Sequence, residues 1–227
     1  MKFIEFDFEP EVQEGIDSLG FENATEVQEK TIPAIMRGDD VIAAAQTGTG
    51  KTAAFLLPVM NAILTANSNN TDSVKALIIV PTRELAMQID QQIEGLSYFT
   101  SISSIAVYGG TDRFVFDAEK KGLEKGADII VCTPGRFIAH LNLEYVKIDG
   151  LTHLILDEAD RMLDMGFVND IKKIITYLPK KRQVLLFSAT MPANVRTLAR
   201  TIMNKPSEIN IAISKTVDKV LQVAYII

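Results

Sequence analysis

The chain has 227 residues, 47% of them hydrophobic and 23% charged, with a formal net charge of −6 and a single cysteine. That length and apolar content allow a buried core in one domain or two small ones, and the composition excludes a disordered or fibrous chain. The acidic balance argues against a surface coated in base for duplex binding, although backbone amides and a few arginines can still build a local phosphate-binding rim.

The first residues, Met1-Lys2-Phe3-Ile4-Glu5-Phe6, carry acid where a signal peptide carries base, and no cleavage site follows. Apolar runs such as 76–80 are too short to cross a bilayer as a helix. A soluble, cytoplasmic protein is the expectation. Apolar runs at 41–45, 76–80, 102–108, 128–132, 153–156, 183–187 and 208–212 predict strands. Between them, segments such as 51–64, 83–96 and 167–178 carry apolar residues at three- and four-residue spacing and predict helices. Strands apolar on consecutive positions and separated by helices imply a parallel sheet covered on both faces, an α/β doubly wound fold. Residues 66–75 read as an exposed loop and Glu119-Lys120-Lys121 as a solvated helix face. Cys132 ends an apolar run and is expected to be buried packing. Met162 and Met165 read as core or interface filler, and His140 and His153 show no metal-ligand spacing and receive no role. A polar stretch at 214–218 precedes a last apolar run, 220–227, which suggests a truncated strand.

The polar clusters take their meaning from this pattern. They lie at 45–52, 81–86, Gly109-Gly110, 133–136, 157–160 and 188–190, each just past the carboxyl end of a predicted strand. In a parallel sheet those ends share one rim, where open α/β sheets bind ligands.

Ala45-Gln46-Thr47-Gly48-Thr49-Gly50-Lys51-Thr52 has the form of a phosphate loop, departing from the generic pattern at Ala45. Gly48 and Gly50 let the backbone turn its amides inward, and the following helix points its N-terminus at the anion. Lys51 would reach the β- and γ-phosphates of ATP and Thr52 would place its hydroxyl on Mg²⁺. Asp157-Glu158-Ala159-Asp160 follows the apolar Leu154-Ile155-Leu156 as the second acidic motif of such an ATPase. Asp157 would hold Mg²⁺, and Glu158 would orient or deprotonate the attacking water. The plain alternatives are a glycine-rich turn and an acidic helix cap.

With Pro81-Thr82-Arg83-Glu84-Leu85-Ala86, Thr133-Pro134-Gly135-Arg136 and Ser188-Ala189-Thr190 in the same order, the chain resembles the DEAD-box RNA helicases from about Phe3 to its last residue. The resemblance implies a RecA-like phosphate-loop NTPase domain and an RNA-stimulated ATPase that separates short duplexes. It implies that Gln28 pairs with the adenine edge and that Phe3 lies against the ring. Thr82, Arg83, Gly110, Thr133, Gly135 and Arg136 would contact the RNA backbone without reading sequence. Asp160, Ser188 and Thr190 would couple nucleotide state to the RNA side. Residues 1–213 would form the ATP-binding domain and 214–227 a linker and the first strand of a second RecA-like domain. That second domain would supply an arginine finger, so the monomeric chain alone would turn over little ATP. Plainer readings stand beside these: Phe3 as core, Gln28 as a solvated helix residue, Arg83 paired with a carboxylate, Thr133 and Arg136 as bracing, and Ser188 and Thr190 as a cap before Pro192. A nucleotide-gated RNA clamp and a DNA translocase are the competing functions.

Overall fold

The computed structural model describes residues 1–66, 73–110 and 113–211. Among the described residues seven strands form one sheet: β1 (Val41–Ala44), β2 (Ala76–Ile79), β3 (Ser104–Val107), β4 (Ile129–Cys132), β5 (His153–Leu156), β6 (Gln183–Ser188) and β7 (Ser207–Asn210). They lie side by side in the order β3-β4-β2-β5-β6-β1-β7, and every pairing is parallel.

The strands are apolar on consecutive positions because each face of the sheet has its own core. Ala76 and Ile78 of β2 and Ile129 and Val131 of β4 enter one cluster. Their neighbours Leu77, Ile79, Ile130 and Cys132 enter the other. The first face is covered by α1 (Pro10–Ser18), α2 (Glu26–Met36), α3 (Lys51–Thr65) and α4 (Arg83–Leu96). The second is covered by α5 (Arg113–Lys125), α6 (Pro134–Leu141), α7 (Ala159–Asp164), α8 (Val168–Tyr177) and α9 (Ala193–Ile202). Fully burying one such Leu, Ile or Phe side chain contributes about 1.5–3 kcal/mol, so the two layers together hold the strands rigidly in register. At the edge, β7 alternates half-buried and exposed residues, as a strand with a single covered face should.

The doubly wound α/β sheet is as expected, and β5 and α4 have the expected ends. Strand β3 is shorter than residues 102–108, and β7 starts and stops earlier than 208–212, of which Ala212 lies outside the described residues. The expected loop at 66–75 needs correction at its end. Ser73, Val74 and Lys75 are buried, Val74 N–H donates to the Lys147 carbonyl and Lys75 N–H to that of Asp128, because this stretch leads directly into the central strand β2. Residues 67–72, and the expected elements at 214–218 and 220–227, lie outside the described residues. Cys132 and Met162 are fully buried, whereas Met165 is exposed. Burial pushes the Cys132 thiol well above its usual range, which makes it inert packing. Among the described residues no helix is long and apolar enough to cross a membrane.

Helix α1 crosses the C-terminal end of α4 at Gly15, where an added Cβ would stand 2.4 Å from the Leu96 carbonyl oxygen. Backbone cannot yield as a side chain can. Gly15→Ala is therefore expected to lower stability by about 1–3 kcal/mol, despite alanine's better helix propensity. Urea unfolding should show the midpoint falling at constant m-value, and an unchanged midpoint would contradict the close packing.

Candidate functional site

Because all strands run one way, the loops after β1 to β6 emerge on one edge of the sheet. Strand order then sorts them. The loops after β3, β4 and β2 carry Gly109-Gly110, Thr133 to Arg136 and Thr82-Arg83, and those strands are neighbours. The loops after β5, β6 and β1 carry Asp157 to Asp160, Ser188 to Thr190 and the glycine-rich turn, and those three are neighbours too. The sequence order interleaves the two groups; the sheet separates them into two halves of one rim.

In the glycine-rich turn, Gly48 and Gly50 adopt φ of +79° and +89°. Only glycine takes this left-handed region freely, so the loop's course depends on them. The Thr49 hydroxyl donates to the Gln46 carbonyl at 2.8 Å, closing the turn. Ala45, where a glycine is usual, is buried and continues the sheet ladder, its N–H donating to the Ser188 carbonyl at 3.0 Å. Lys51 is the first residue of α3, and its Nζ is buried with no hydrogen-bond partner. A buried ammonium with nothing to donate to is a strong anion attractor.

Asp157 stands opposite, at the end of β5. It is 3% exposed, and its Oδ1 accepts the Glu158 N–H at 2.9 Å. Burial pushes its carboxyl up to about 6, with Lys51 the main group holding it back. Glu158 has a left-handed backbone, φ +51°, unusual for a residue with a side chain, and its Oε2 accepts from Arg161 Nη1 at 3.1 Å. Asp160 is turned toward β6. Its N–H donates to Ser188 Oγ at 3.1 Å, and its Oδ2 accepts both the N–H (2.8 Å) and the hydroxyl (2.7 Å) of Thr190. Burial acts to raise this carboxyl, but the bonds from Thr190 and Ser188 outweigh it and hold it below the usual range. Ser188 Oγ in turn donates to the Thr190 carbonyl at 2.7 Å. The three residues form a closed network, whereas the cap of α9 is Pro192.

A cavity of ≈ 530 Å³ joins these groups. Thr47, Gly48, Gly50, Lys51 and Thr52 line one end, Asp157 and Glu158 one wall, and Phe3, Phe21, Thr25 and Gln28 the other end. Gln46 and Thr49 do not line it. Gln28 is buried rather than solvated, accepting the Thr25 N–H at 2.8 Å and donating to the Gly50 carbonyl at 3.0 Å. Phe3 is also buried, its ring 6.1 Å from that of Phe21 and stacked with it. Sequence reasoning did not select Phe21, or Leu85, Gln88, Gln92 and Leu96 of α4, which also line the cavity. For the four α4 residues the only signal was a shared helix face at three- and four-residue spacing.

Among the described residues no three His, Cys, Asp or Glu side chains cluster as a metal site. A divalent cation at Asp157 and Thr52 would need further oxygens from phosphate and water, which is how Mg²⁺ is usually held beside nucleotides. The unpartnered Lys51 ammonium and the buried Asp157 carboxylate suit a triphosphate with its metal.

On the other half of the rim, Thr82 caps α4, accepting the Leu85 N–H at 3.3 Å. Arg83 is exposed and lies over the Tyr108 ring at 4.9 Å, on no carboxylate among the described residues, and faces Gly110. Thr133 occupies the cap position of α6, with Pro134 following, but its hydroxyl takes no capping bond. Gly135 faces open space. Arg136 is different: its Nε donates to Glu119 Oε2 at 2.6 Å, its guanidinium lies 4.5 Å over Phe116, and its Nη2 is buried without a partner. Glu119 is therefore not part of a solvated face. It is 5% exposed, and its partners also include the Tyr108 N–H at 3.0 Å and His140 Nε2 at 2.9 Å. The charge run misled because one member of it points inward. His140, given no role from the sequence, is fully buried in this network and also bonds Tyr145. His153 begins β5 at the opposite edge of the sheet, and burial lowers its imidazole to about 4.

The family model described as DEAD/DEAH box helicase matches residues 25–198. The chain is 45% identical over 210 residues to the ATP-dependent RNA helicase CshA of Listeria monocytogenes, covering 92% of this chain and 39% of that protein. It is 44% identical over 201 residues to the DEAD-box ATP-dependent RNA helicase RhpA of Helicobacter pylori, covering 88% and 39%. It superposes on the crystal structure of a DEAD box protein from the hyperthermophile Methanococcus jannaschii with a TM-score of 0.84 and 37% identity, over 92% of this chain and 56% of that one. The chain thus spans about two fifths of the length of these curated relatives.

Asp157 makes the site's electrostatics measurable. Its folded carboxyl titrates above its unfolded value of 3.8, so the folded state binds the proton more tightly. Its contribution is fully present below pH 4 and is lost as pH rises through about 6. The stability of the chain minus that of Asp157→Asn should therefore fall by on the order of 3 kcal/mol between pH 4 and 7, followed by chemical denaturation without nucleotide. A difference that does not change with pH would show that Asp157 is not buried in this way.

Proposed function

The chain belongs to the DEAD/DEAH box helicase family, and on that premise we propose that it is the ATP-binding domain of a cytoplasmic, monomeric ATP-dependent RNA helicase. The observation that carries this reading is the unpartnered Lys51 ammonium facing buried Asp157 in a cavity whose far end holds Gln28 and Phe3. Lys51 receives the β- and γ-phosphates, and the amides of residues 46–52 cradle them at the start of α3. Thr52 and Asp157 hold Mg²⁺, which when bound neutralises charge on the phosphate oxygens. Glu158 orients the attacking water or takes its proton, and Arg161 holds its carboxylate at rest.

Gln28 suits adenine despite its two existing bonds. A primary amide has two acceptor sites and two N–H groups, so one of each remains for the adenine edge. Its bond to the Gly50 carbonyl ties base recognition to the phosphate loop. Phe3 lies against the adenine ring. On the other half of the rim, Thr82, Arg83, Gly110, Thr133, Gly135 and Arg136 bind the RNA backbone irrespective of sequence. The network of Asp160, Ser188 and Thr190 joins the acidic loop to β6 within the nucleotide half and is the element that couples nucleotide state to RNA. Residues 1–213 make up this domain, and duplex unwinding requires a second RecA-like domain. Among the described residues no arginine lines the cavity, which supports a finger supplied from elsewhere.

Lys51→Ala should weaken binding of a fluorescent ATP analogue by at least about tenfold, since hydrogen bonds to charged groups contribute about 1.5–3 kcal/mol; affinity equal to the parent's would refute the phosphate role. In a malachite-green assay the 227-residue chain should release little phosphate with or without RNA. Robust RNA-stimulated hydrolysis would show that no second domain is needed.

A further inference from the structure

We propose that Glu119 is a positioning residue for RNA, a single buried carboxylate that holds the Arg136 guanidinium and the loop after β3 in the geometry that backbone phosphates require. The inference rests on the reading of the second half of the rim as an RNA track.

From α5, Glu119 reaches two further elements. Its Oε2 takes Arg136 Nε (2.6 Å) and His140 Nε2 (2.9 Å) from α6, and its Oε1 takes the Tyr108 N–H (3.0 Å), the last residue before Gly109-Gly110. The Tyr108 ring lies under Arg83, so the hold extends to a third track residue. Phe116, one turn before Glu119, is stacked on His140 at 4.3 Å and presents its ring to the Arg136 guanidinium. Arg136 is thus fixed by its Nε and by one face, with Nη2 left unbonded. Fixing it has an electrostatic drawback, because a carboxylate 2.6 Å away reduces the attraction of the arginine for phosphate. The two effects predict opposite signs. If the local field decides, removing Glu119 tightens RNA binding; if position decides, removing it weakens binding.

The test measures fluorescence anisotropy of fluorescein-labelled oligouridine at low salt, and in parallel the affinity for a fluorescent ADP analogue, for Glu119→Ala, Arg136→Ala and the double variant. Each single variant should bind RNA about fivefold or more weakly, the double variant no more weakly than the weaker single one, and nucleotide affinity should stay unchanged. Glu119→Ala binding RNA as well as the parent or better, additive losses in the double variant, or a parallel loss of nucleotide affinity overturns the inference. If Arg136→Ala itself binds RNA normally, the RNA-track reading falls and takes the inference with it. If only Glu119→Ala does, the inference falls alone. Should Glu119→Ala not fold, Phe116→Leu at its half-buried position removes the plate beneath the guanidinium. It should lower RNA affinity at constant nucleotide affinity, and an unchanged RNA affinity overturns the inference.

Discussion

A sheet whose strands all run in one direction has two chemically different edges, and this asymmetry is the constraint on which everything else here depends. Parallel strands need crossovers, the crossovers here are helices, and helices on both faces demand that each strand be apolar on consecutive positions. Leu77 and Ile78, adjacent in β2, enter opposite cores for this reason. The carboxyl edge then collects the strand-to-helix turns, where helix N-termini leave amides unpaired and anions are welcome. Lys51, the first residue of α3, stands where that field is strongest.

Both halves of the rim keep charges out of water, but they manage the desolvation differently. Lys51 and Asp157 are buried without full partners: the ammonium has no hydrogen bond and the carboxyl is pushed up to about 6. Such a pair lowers the stability of the empty protein and favours any ligand that supplies phosphate and a cation. Glu119 and Arg136 are instead paired with each other and braced by Phe116, His140 and Tyr108. The first arrangement suits a ligand that arrives with its own charges; the second suits a surface that must hold its shape while a flexible polyanion comes and goes.

Two short hydrogen-bonded links cross between elements that carry different groups. Gln28 on α2 donates to the carbonyl of Gly50 in the glycine-rich turn, and Asp160 on α7 is closed onto Ser188 at the end of β6 and Thr190 just beyond it. Strand β6 lies between β5 and β1, so the second link sits beside both the acidic loop and the glycine-rich turn. A displacement at one strand end has a direct bonded path to its neighbour. Both links lie within the nucleotide half of the rim, and the proposed coupling to RNA starts from the second of them.

The strands, the major helices and the rim loops were legible in the sequence because they depend on local facts: apolar runs of strand length, helical spacing, and glycines where the backbone needs positive φ. The phosphate loop and the acidic tetrad could be located for the same reason, since each lies within a few consecutive residues. What the sequence could not contain was the lateral order of the strands, which separates loops that alternate along the chain into two groups. Nor could it show that Glu119 points inward while Lys120 and Lys121 do not, or that residues 73–75 are buried, or that one face of α4 lines the cavity. Those features arise from pairings between residues far apart in the chain. Local chemistry decides which groups a segment offers, but only close packing of distant segments decides which of them are removed from water and what they face.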